Sequence, residues 1–449
     1  MRTLFGTDGI RAVAGEAPLD PRTIHAVGLA LAHTLRRASS SPRVILGMDT
    51  RESSDWISAT IANGLREGGG TVQSAGIITT PGIAFLARKH GFHAGVVISA
   101  SHNPWQDNGI KVFGHDGYKL PDEQELAIED EIFRLLADPS FSSRSSAKKL
   151  PVRSSHRHDY EAFLRQIVPS LNLNGKSVVL DCANGAASAI APELFANLGG
   201  TLHLTHSHPD GRNINEQCGA LHPEIVAAET IARNADVGIT LDGDADRALF
   251  ADANGNVVNG DAILLLAARD LQARGALNDN TVVATTMSNM GLEAALGLNH
   301  IRMLRAPVGD KYVLQMMRQH HATLGGEQSG HILFPAYSTT GDGLLTALLV
   351  LDIVQRSGKA LHQLVADLKV FPQVIVNVRV REKQPLEQIP EVSERIQEAE
   401  SALQGKGRVV VRYSGTEALA RVMIEAESRE EMERHAERIA QAIRSTLGI

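Results

Sequence analysis

The chain has 449 residues, which at roughly 150 residues per domain predicts about three or four compact domains. Hydrophobic residues make up 43% and charged residues 21%, so disordered, collagen-like and coiled-coil proteins are excluded. The formal net charge of -7 excludes a global basic field that would attract nucleic acid or anionic lipid, so an anionic ligand must be held by local cations. Cys182 and Cys218 are too few for a disulfide framework, and no apolar run approaches the ~20 residues of a membrane span. We expect a soluble, cytoplasmic protein with no nucleic-acid or membrane partner.

Short β-branched runs alternate with polar loops and helix-period segments over most of the chain. Residues 43–46 lead into a polar loop and a predicted helix at about 55–67, and residues 178–180 lead into a loop and a predicted helix through Leu198. Further strand-like runs lie at 95–98, 237–241 and 282–286. The pattern predicts an α/β fold with ligand sites where loops leave the carboxyl ends of strands.

Three changes of pattern suggest domain boundaries. Residues 138–158 form a linker rich in Ser, Lys, Arg and His, and residues 251–256 are typical of a hairpin turn that follows a second boundary. After about 368–371 come an alternating run, a helix-period segment, two strand-like runs and a capping box at Ser428 and Glu431. This last segment predicts an α+β domain made of a sheet and two helices.

Asp242, Asp244 and Asp246 lie on alternate residues at the end of a predicted buried strand. Three carboxylates converge there only around a cation, and a hard divalent ion such as Mg²⁺ prefers oxygen ligands. An EF-hand is disfavoured because its turn glycine would fall at Arg247 and its bidentate glutamate at Ala253. A solvated acidic turn is the alternative, and Asp-x-Asp after a strand also describes the nucleophile of an aspartyl-phosphate phosphatase.

Three further segments carry candidate chemistry. A strand runs into Ser99-Ala-Ser101-His102-Asn103-Pro104, where a hydroxyl could be a nucleophile or phosphate carrier, or only part of a serine-rich turn. The loop 325–331 offers a carboxylate, an amide, a hydroxyl and an imidazole, which suit a polyhydroxy ligand as well as a polar turn. The segment 412–417 sets an arginine beside hydroxyls and a glycine, as in a phosphate nest. By contrast, 174–177 is no P-loop, since a strand follows it.

Taken in this order, the four segments resemble those of the α-D-phosphohexomutase superfamily, and most closely its amino-sugar branch. Residues 5–11, 213–215, 308–313 and 340–344 also fit, so the resemblance spans nearly the whole chain. It implies three α/β domains with mixed sheets and a smaller α+β carboxy-terminal domain around a central cleft. The expected boundaries are 1–150, 151–250, 251–368 and 369–449.

The resemblance also implies roles for individual residues. Ser101 would be the phosphoserine, and its phosphate together with Asp242, Asp244 and Asp246 would hold one Mg²⁺. Glu327 and Ser329 would bind sugar hydroxyls, and Arg247 would help neutralise the phosphoryl group. The phosphate that does not react would be held by Arg412, Ser414, Gly415 and Thr416. Arg11, Lys111 and His331 would serve in positioning or proton transfer.

The implied reaction moves a phosphoryl group between the 6- and 1-positions of a hexosamine through a 1,6-bisphosphate, supplying precursors of UDP-N-acetylglucosamine and the cell wall. A covalent carrier is needed because the two oxygens lie at opposite ends of the sugar. Lys111 or His331 would act as general base if its surroundings tune its pKa. A mutase acting on glucose or mannose phosphate, the phosphatase and a catalytically inactive sugar-phosphate sensor remain alternatives. The sequence leaves monomer and homodimer both open, and it predicts that the domain carrying Arg412 is mobile.

Overall fold

The computed structural model describes residues 4–6, 8–142, 149–403, 407–413 and 418–448. The chain divides into two compact units: one consists of Met1–Met287 and Ile301–Ala366, the other of Ser288–His300 and Asp367–Ile449. Within the described ranges, no helix combines the length and the apolar character needed to cross a membrane.

The first part of the larger unit is a mixed sheet packed with helices. Its elements are β1 (Ile10–Val13), α1 (Pro21–Leu35), β2 (Arg43–Met48), α2 (Ser54–Glu67), β3 (Thr71–Ile77), α3 (Thr80–Lys89), β4 (Ala94–Ile98), β5 (Asp107–Gly114) and α4 (Asp122–Ala137). The strand order is β1-β5-β4-β2-β3, in which β2 runs parallel to β3 and β4, and β5 runs antiparallel to β1 and β4. Because β2 and β4 are parallel neighbours, the loops that follow them leave the same edge of the sheet.

A second mixed sheet follows the linker. Its elements are α5 (Ser155–Ile167), β6 (Ser177–Asp181), α6 (Ala191–Ala196), β7 (Thr201–Thr205), α7 (Pro223–Ala232), β8 (Val237–Leu241), β9 (Ala248–Asp252) and β10 (Val257–Val258). The strand order is β10-β9-β8-β6-β7, and the predicted hairpin turn at 251–256 does join the antiparallel pair β9 and β10. The expected boundary between residues 250 and 251 falls inside β9, which is hydrogen-bonded along its length to β8.

The third sheet is small and is followed by a long buried helix. The elements from Gly260 onward are α8 (Gly260–Ala273), β11 (Thr281–Thr285), α9 (Met290–Leu298), β12 (Arg302–Ala306), α10 (Asp310–Gln319), β13 (Gly325–Gly326), β14 (Ile332–Leu333), α11 (Gly343–Ser357) and α12 (Leu361–Leu364). The strand order is β12-β11-β13-β14. Helix α9 belongs to the smaller unit, whereas the sheet belongs to the larger one.

The rest of the smaller unit is an antiparallel sheet with two helices. Its elements are β15 (Gln373–Arg379), α13 (Pro390–Ala402), β16 (Gly407–Tyr413), β17 (Leu419–Ala426) and α14 (Arg429–Leu447), and the strand order is β15-β17-β16. Ser428 caps α14 by accepting a hydrogen bond from the Glu431 N–H, and Met432, Ile439 and Ile443 are buried on one face of the helix, as predicted. The α+β prediction for this segment is confirmed.

One predicted helix is present but shorter than expected. The helix expected to run through Leu198 is a 3₁₀ turn at Ala186–Ala189 followed by the short α6, which ends at Ala196. Pro192 explains the late start of α6, because proline has no N–H and is tolerated only in the first turn of a helix. The chain then turns at Gly199, whose φ of +85° suits glycine.

Candidate active site

Ser101 and Asp242 come together at the carboxyl ends of β4 and β8. The Ser101 Oγ donates a hydrogen bond of 2.6 Å to Asp242 Oδ2, although the two residues are 141 positions apart in the sequence. Ser101 is 1% exposed and has a φ of +53°, a left-handed conformation that few residues other than glycine adopt. Its hydroxyl is therefore fixed by a strained turn that points it at a buried carboxylate.

The three aspartates converge as the sequence predicts. One carboxylate oxygen from each of Asp242, Asp244 and Asp246 lies within 4.8 Å of the others, and all three residues are buried. Among the described residues, Asp244 Oδ1 and Asp246 Oδ1 have no hydrogen-bond partner. Buried carboxylate oxygens without partners are costly, and a hard divalent cation would satisfy them. The donor set thus fits a divalent metal ion.

The crowding of these carboxylates changes their protonation. Burial, followed by the negative charges of Asp246 and Asp244, raises the pKa of Asp242 well above its usual range. Burial alone would also raise the pKa of Asp246, but the charges of Lys111 and His331 outweigh it and hold that pKa well below its usual range. Three carboxylates so close together therefore require cations beside them.

Lys111, on β5, is the nearest of these cations. Its Nζ lies 2.8 Å from Asp244 Oδ2, 3.0 Å from Asp8 Oδ2 and 3.5 Å from Asp246 Oδ2, and its side chain is 1% exposed. Burial opposes the charge, but Asp244 and Asp8 outweigh burial and raise the pKa of Lys111 well above its usual value. The amine is thus held as a cation.

His331 follows β13 and faces the same cluster. Its Nδ1 lies 3.5 Å from Asp246 Oδ1, and its Nε2 lies 3.1 Å from the Gly341 N. In the neutral ring Nε2 accepts from the Gly341 N–H, and the ring proton is on Nδ1. Burial would lower the pKa of His331, but the charge of Asp246 outweighs it and raises the pKa to about 9. The carboxylates beside Lys111 and His331 therefore favour the protonated form of both groups, and the role of either one as a general base stays a prediction.

A cavity of 250 Å³ opens beside this cluster and is lined by several of the predicted residues. Its lining includes Arg11, Arg247, Glu327 and His331. Glu327 Oε1 accepts a 3.0 Å hydrogen bond from the Gly309 N–H, and its Oε2 accepts one of 3.2 Å from the Ser329 hydroxyl. The structure therefore brings the predicted sugar-binding loop and two arginines to one pocket.

Two acidic residues that line the same pocket, Asp8 and Asp310, were missed in the sequence, as was Lys119, which pairs with both. Asp8 pairs with Arg11, Lys111 and Lys119, and Lys119 also lies 2.7 Å from Asp310 Oδ2. The positive charges of Lys111, Lys119 and Arg11 lower the pKa of Asp8, overcoming the opposing effect of burial. Asp8 and Asp310 lie within the matching segments 5–11 and 308–313, so a carboxylate in each was an available signal.

Asp49, Arg51 and Asn215 were also missed. Arg51 and Asn215 both donate hydrogen bonds to the backbone oxygen of Ser101, at 3.0 and 2.9 Å. Asp49 and Arg51 are completely buried as side chains and pair at 2.8 Å. The available signal was an acidic and a basic residue two positions apart, directly after a buried strand.

The predicted phosphate-binding loop is only partly described. Arg412 lies at the end of β16 in the smaller unit and is exposed. Ser414, Gly415 and Thr416 lie outside the described residues.

Four family descriptions match the chain in order. They are the phosphoglucomutase/phosphomannomutase alpha/beta/alpha domains I, II and III, at residues 2–137, 158–255 and 259–371, and the C-terminal domain at 375–442. The chain therefore belongs to the phosphoglucomutase/phosphomannomutase family, with three α/β domains and a smaller fourth one.

Full-length relatives narrow this assignment. A phosphoglucosamine mutase from Koribacter versatilis is 58% identical, covering 100% of this chain and 98% of the relative. Another from Solibacter usitatus is 52% identical, with 100% and 99% covered. Within the family, the chain belongs to the phosphoglucosamine mutases, which are isomerases.

Solved structures share the fold at low sequence identity. A phosphoglucomutase/phosphomannomutase family protein from Burkholderia thailandensis has a TM-score of 0.78 at 23% identity, covering 99% of this chain and 98% of that one. An Aspergillus fumigatus N-acetylphosphoglucosamine mutase, solved with GlcNAc-6P and magnesium, has a TM-score of 0.68 at 20% identity, with 99% and 96% covered. These likenesses confirm the mixed-sheet fold class.

Proposed function

We propose that the protein interconverts glucosamine 6-phosphate and glucosamine 1-phosphate, with Ser101 as the phosphoryl carrier. The observation that carries the proposal is the 2.6 Å hydrogen bond from Ser101 Oγ to Asp242, inside a buried group of three aspartates and a lysine. The 58% and 52% identical relatives named as phosphoglucosamine mutases support the choice of an amino sugar.

The carrier divides the reaction into two phosphoryl transfers. In the first, the P–O bond of phosphorylated Ser101 breaks, a bond to the sugar 1-oxygen forms, and the proton of that hydroxyl leaves. The product is a 1,6-bisphosphate, which turns round in the site. In the second, the bond between phosphorus and the 6-oxygen breaks, Ser101 regains the phosphoryl group, and the 6-oxygen takes a proton. The Ser101 oxygen takes up a proton when it leaves in the first transfer, and the Ser101 hydroxyl loses that proton when it attacks in the second. Atoms and charge therefore balance, and no water enters.

Asp242, Asp244, Asp246 and the phosphate on Ser101 would together hold one Mg²⁺. When bound, this ion supplies positive charge that favours transfer of a dianionic group. Because the Ser101 hydroxyl hydrogen-bonds to Asp242, a phosphate on Ser101 would lie beside the three aspartates. Lys111 holds Asp244 and Asp246 in place through its contacts with both carboxylates, and its charge lowers the pKa of Asp246.

His331 is the proposed donor of a proton to the oxygen that leaves phosphorus and the proposed acceptor of a proton from the hydroxyl that attacks it. A pKa of about 9 favours the imidazolium, which has a proton on both ring nitrogens. The neutral ring, whose Nε2 accepts from the Gly341 N–H, keeps its proton on Nδ1. In each half-reaction the imidazolium protonates the departing oxygen, and the neutral imidazole that results accepts the proton of the attacking hydroxyl.

The remaining residues recognise the sugar and its phosphates. Glu327 and Ser329 form a hydrogen-bonded pair that would accept from and donate to sugar hydroxyls. Arg11 and Arg247 line the cavity and would neutralise the reacting phosphoryl group. The phosphate at the far end of the sugar would be held by Arg412, Ser414, Gly415 and Thr416. The proposal retains the central cleft and the boundaries near residues 150 and 368, with the middle boundary placed after β10.

Phosphate mapping tests the carrier directly. We expect the purified protein to carry an acid-stable phosphate on Ser101, and Ser101→Ala to lose mutase activity by at least about 10³-fold. Ser140→Ala is the matched control, because Ser140 is exposed and hydrogen-bonds only to Asp138 among the described residues. A hydroxylamine-labile phosphate on Asp242 or Asp244 would instead support the aspartyl phosphatase, and full turnover by Ser101→Ala would refute the carrier.

Substrate preference and metal dependence are tested separately. We expect kcat/KM to be highest for glucosamine 6-phosphate, and a clear preference for glucose or mannose 6-phosphate would refute the amino-sugar assignment. Dialysis against a chelator should abolish activity, and Mg²⁺ should restore it, because the orphaned oxygens of Asp244 and Asp246 need a cation. Undiminished activity after complete metal removal would contradict the proposed metal site.

A further inference from the structure

The loop that follows β2 is hydrogen-bonded to the loop that carries Ser101. Strands β2 and β4 are parallel neighbours, with Met48 opposite Ile98, so both loops leave the sheet at one edge. The Asp49 N–H extends this pairing by donating a 3.0 Å hydrogen bond to the Ile98 oxygen. Two positions later, the Arg51 side chain lies beneath the Ser101 turn and is completely buried.

Every N–H donor of the Arg51 guanidinium has an acceptor. Nε donates to Asp49 Oδ2 at 2.8 Å, and the other four N–H groups all donate to backbone oxygens of the Ser101 loop. Those oxygens belong to Ser101 (3.0 Å), Asn103 (2.8 Å), Asp107 (2.9 Å) and Pro104. An arginine has five such donors in a rigid plane, so this loop uses the complete hydrogen-bonding capacity of the side chain.

Asp49 fixes the orientation of the guanidinium. Its Oδ2 also accepts a 2.7 Å hydrogen bond from the Ser99 hydroxyl, and its Oδ1 accepts from the Ser54 hydroxyl at 2.9 Å and the Arg51 N–H at 3.1 Å. Ser99 in turn accepts a 2.9 Å hydrogen bond from the Ser101 N–H. The network therefore closes on itself, holding Ser101 through both its N–H and its carbonyl.

Asn215 holds the same carbonyl from the other side. Its Nδ2 donates to the Ser101 oxygen at 2.9 Å and to the Asn103 oxygen at 3.1 Å. Gly243 closes the third side, since a Cβ added there would lie 2.5 Å from the Ser101 oxygen. The left-handed turn at Ser101 is thus enclosed by an arginine, an amide and the backbone of the aspartate loop.

We infer that Arg51 and Asn215 are positioning residues for phosphoryl transfer: they set the direction of the Ser101 side chain toward Asp242. The inference rests on the proposed function, in which Ser101 carries the phosphoryl group. In-line transfer demands a fixed position for the phosphorus, and a displacement of about 1 Å costs roughly 10²-fold in rate. Neither residue is among those that would touch the sugar, so their loss should leave substrate affinity unchanged.

Arg51→Lys is the first test, because lysine keeps the charge but has three donors and no planar fork. We expect kcat to fall by about 10²-fold with KM for glucosamine 6-phosphate changed less than about threefold. Arg43→Lys is the matched control. Arg43 is the exposed first residue of β2, at the end of the strand opposite to the loop that carries Arg51. Its kcat should stay within about threefold of the parent.

Asn215→Ala is the second test and leaves the buried Arg51–Asp49 ion pair intact. It removes one of the two side-chain donors to the Ser101 carbonyl, so kcat should fall about tenfold. Asn213→Ala is its control on the same loop, because the described hydrogen bonds of the Asn213 side chain are to the backbone of His208 and Asp210. The double variant Arg51→Lys/Asn215→Ala should lose less than the product of the two single losses, since both side chains hold one carbonyl.

The decisive measurement is the single-turnover rate per phosphorylated molecule. Each variant is phosphorylated with glucose 1,6-bisphosphate, its Ser101 phosphate is quantified by mass spectrometry, and transfer to glucosamine 6-phosphate is timed. A merely structural role would lower the folded fraction but leave this rate unchanged. Parent-like rates in both folded, phosphorylated variants would overturn the inference. Absence of phosphate on Ser101 in the active parent would overturn the proposed function instead.

Discussion

Replacing Asp342 by asparagine should stabilise the protein above pH 6. Asp342 is 1% exposed and caps α11, where its Oδ1 accepts from the Leu345 N–H at 3.0 Å and its Oδ2 accepts from the Tyr160 hydroxyl at 2.7 Å. Burial outweighs these hydrogen bonds and raises the pKa of Asp342 from 3.8 to about 6. Asparagine keeps the shape and the capping oxygen but carries no charge to bury.

The sign of the effect follows from proton linkage. Below pH 3.8 the carboxyl is neutral in both the folded and the unfolded chain, and no cost arises. Between pH 3.8 and about 6 the folded protein retains a proton that the unfolded chain has lost, so the free energy of unfolding falls as pH rises. Above that range the carboxylate is charged in both states, and a pKa difference of about two corresponds to a full cost of about 3 kcal/mol.

Urea unfolding of the parent and Asp342→Asn, followed by circular dichroism from pH 4.5 to 7.5, measures this cost. We expect the variant to be more stable by about 1 kcal/mol at pH 4.5 and by about 3 kcal/mol at pH 7.5. Asp352→Asn is the control on the same helix: Asp352 pairs with Arg356 at 2.7 Å, so its loss should not stabilise the protein. A constant difference across the pH range, or a less stable Asp342→Asn at pH 7.5, would refute the reasoning.

Four further substitutions test close packing and capping. Gly341→Ala would place a Cβ 2.5 Å from the His331 ring, so kcat should fall by roughly 10²-fold in a folded protein, and a parent-like kcat would show that the ring is free to move. Gly64→Ala would place a Cβ 2.3 Å from a backbone oxygen of α1 and should lower the free energy of unfolding by about 1–3 kcal/mol. Gly297 lies in a helix, and a Cβ added there would have nothing within 4 Å, so Gly297→Ala should raise the free energy of unfolding by about 0.5–1 kcal/mol. Equal effects at the two glycines would contradict this account. Ser428→Ala removes the cap of α14 and should cost about 1 kcal/mol, read as a lower midpoint of thermal unfolding, and an unchanged midpoint would mean that the cap contributes nothing.

Patterns local to one strand or helix were predictable from the sequence. The β-branched run at 237–241 is β8 to the residue, because a strand buried on both faces must be apolar throughout. The capping serine and the apolar face of α14 were also predictable. Both depend on residues only three or four positions apart in one helix. The helix expected through Leu198 is shorter than its apolar pattern indicates. Pro192 limits where the helix can begin, and α6 ends at Ala196.

Contacts between distant segments were not predictable in this way. Nothing near Arg51 in the sequence specifies that its donors meet four carbonyls fifty or more residues later. The same holds for Lys111, whose high pKa depends on aspartates from two other segments. A sequence gives the pKa tendency of an isolated group, whereas burial and neighbouring charges decide the pKa that it has in the fold.

The sequence by itself therefore determined the fold class, the family and the order of the motifs. It did so because hydrophobic period, turn chemistry and motif spacing are written along the chain. The tertiary structure decided which charges meet: it aims the Ser101 hydroxyl at Asp242, holds Lys111 and His331 as cations beside the aspartates, and places Arg51 beneath the Ser101 turn. These relations depend on parallel strands delivering their loops to one edge of a sheet, which is a property of three-dimensional packing.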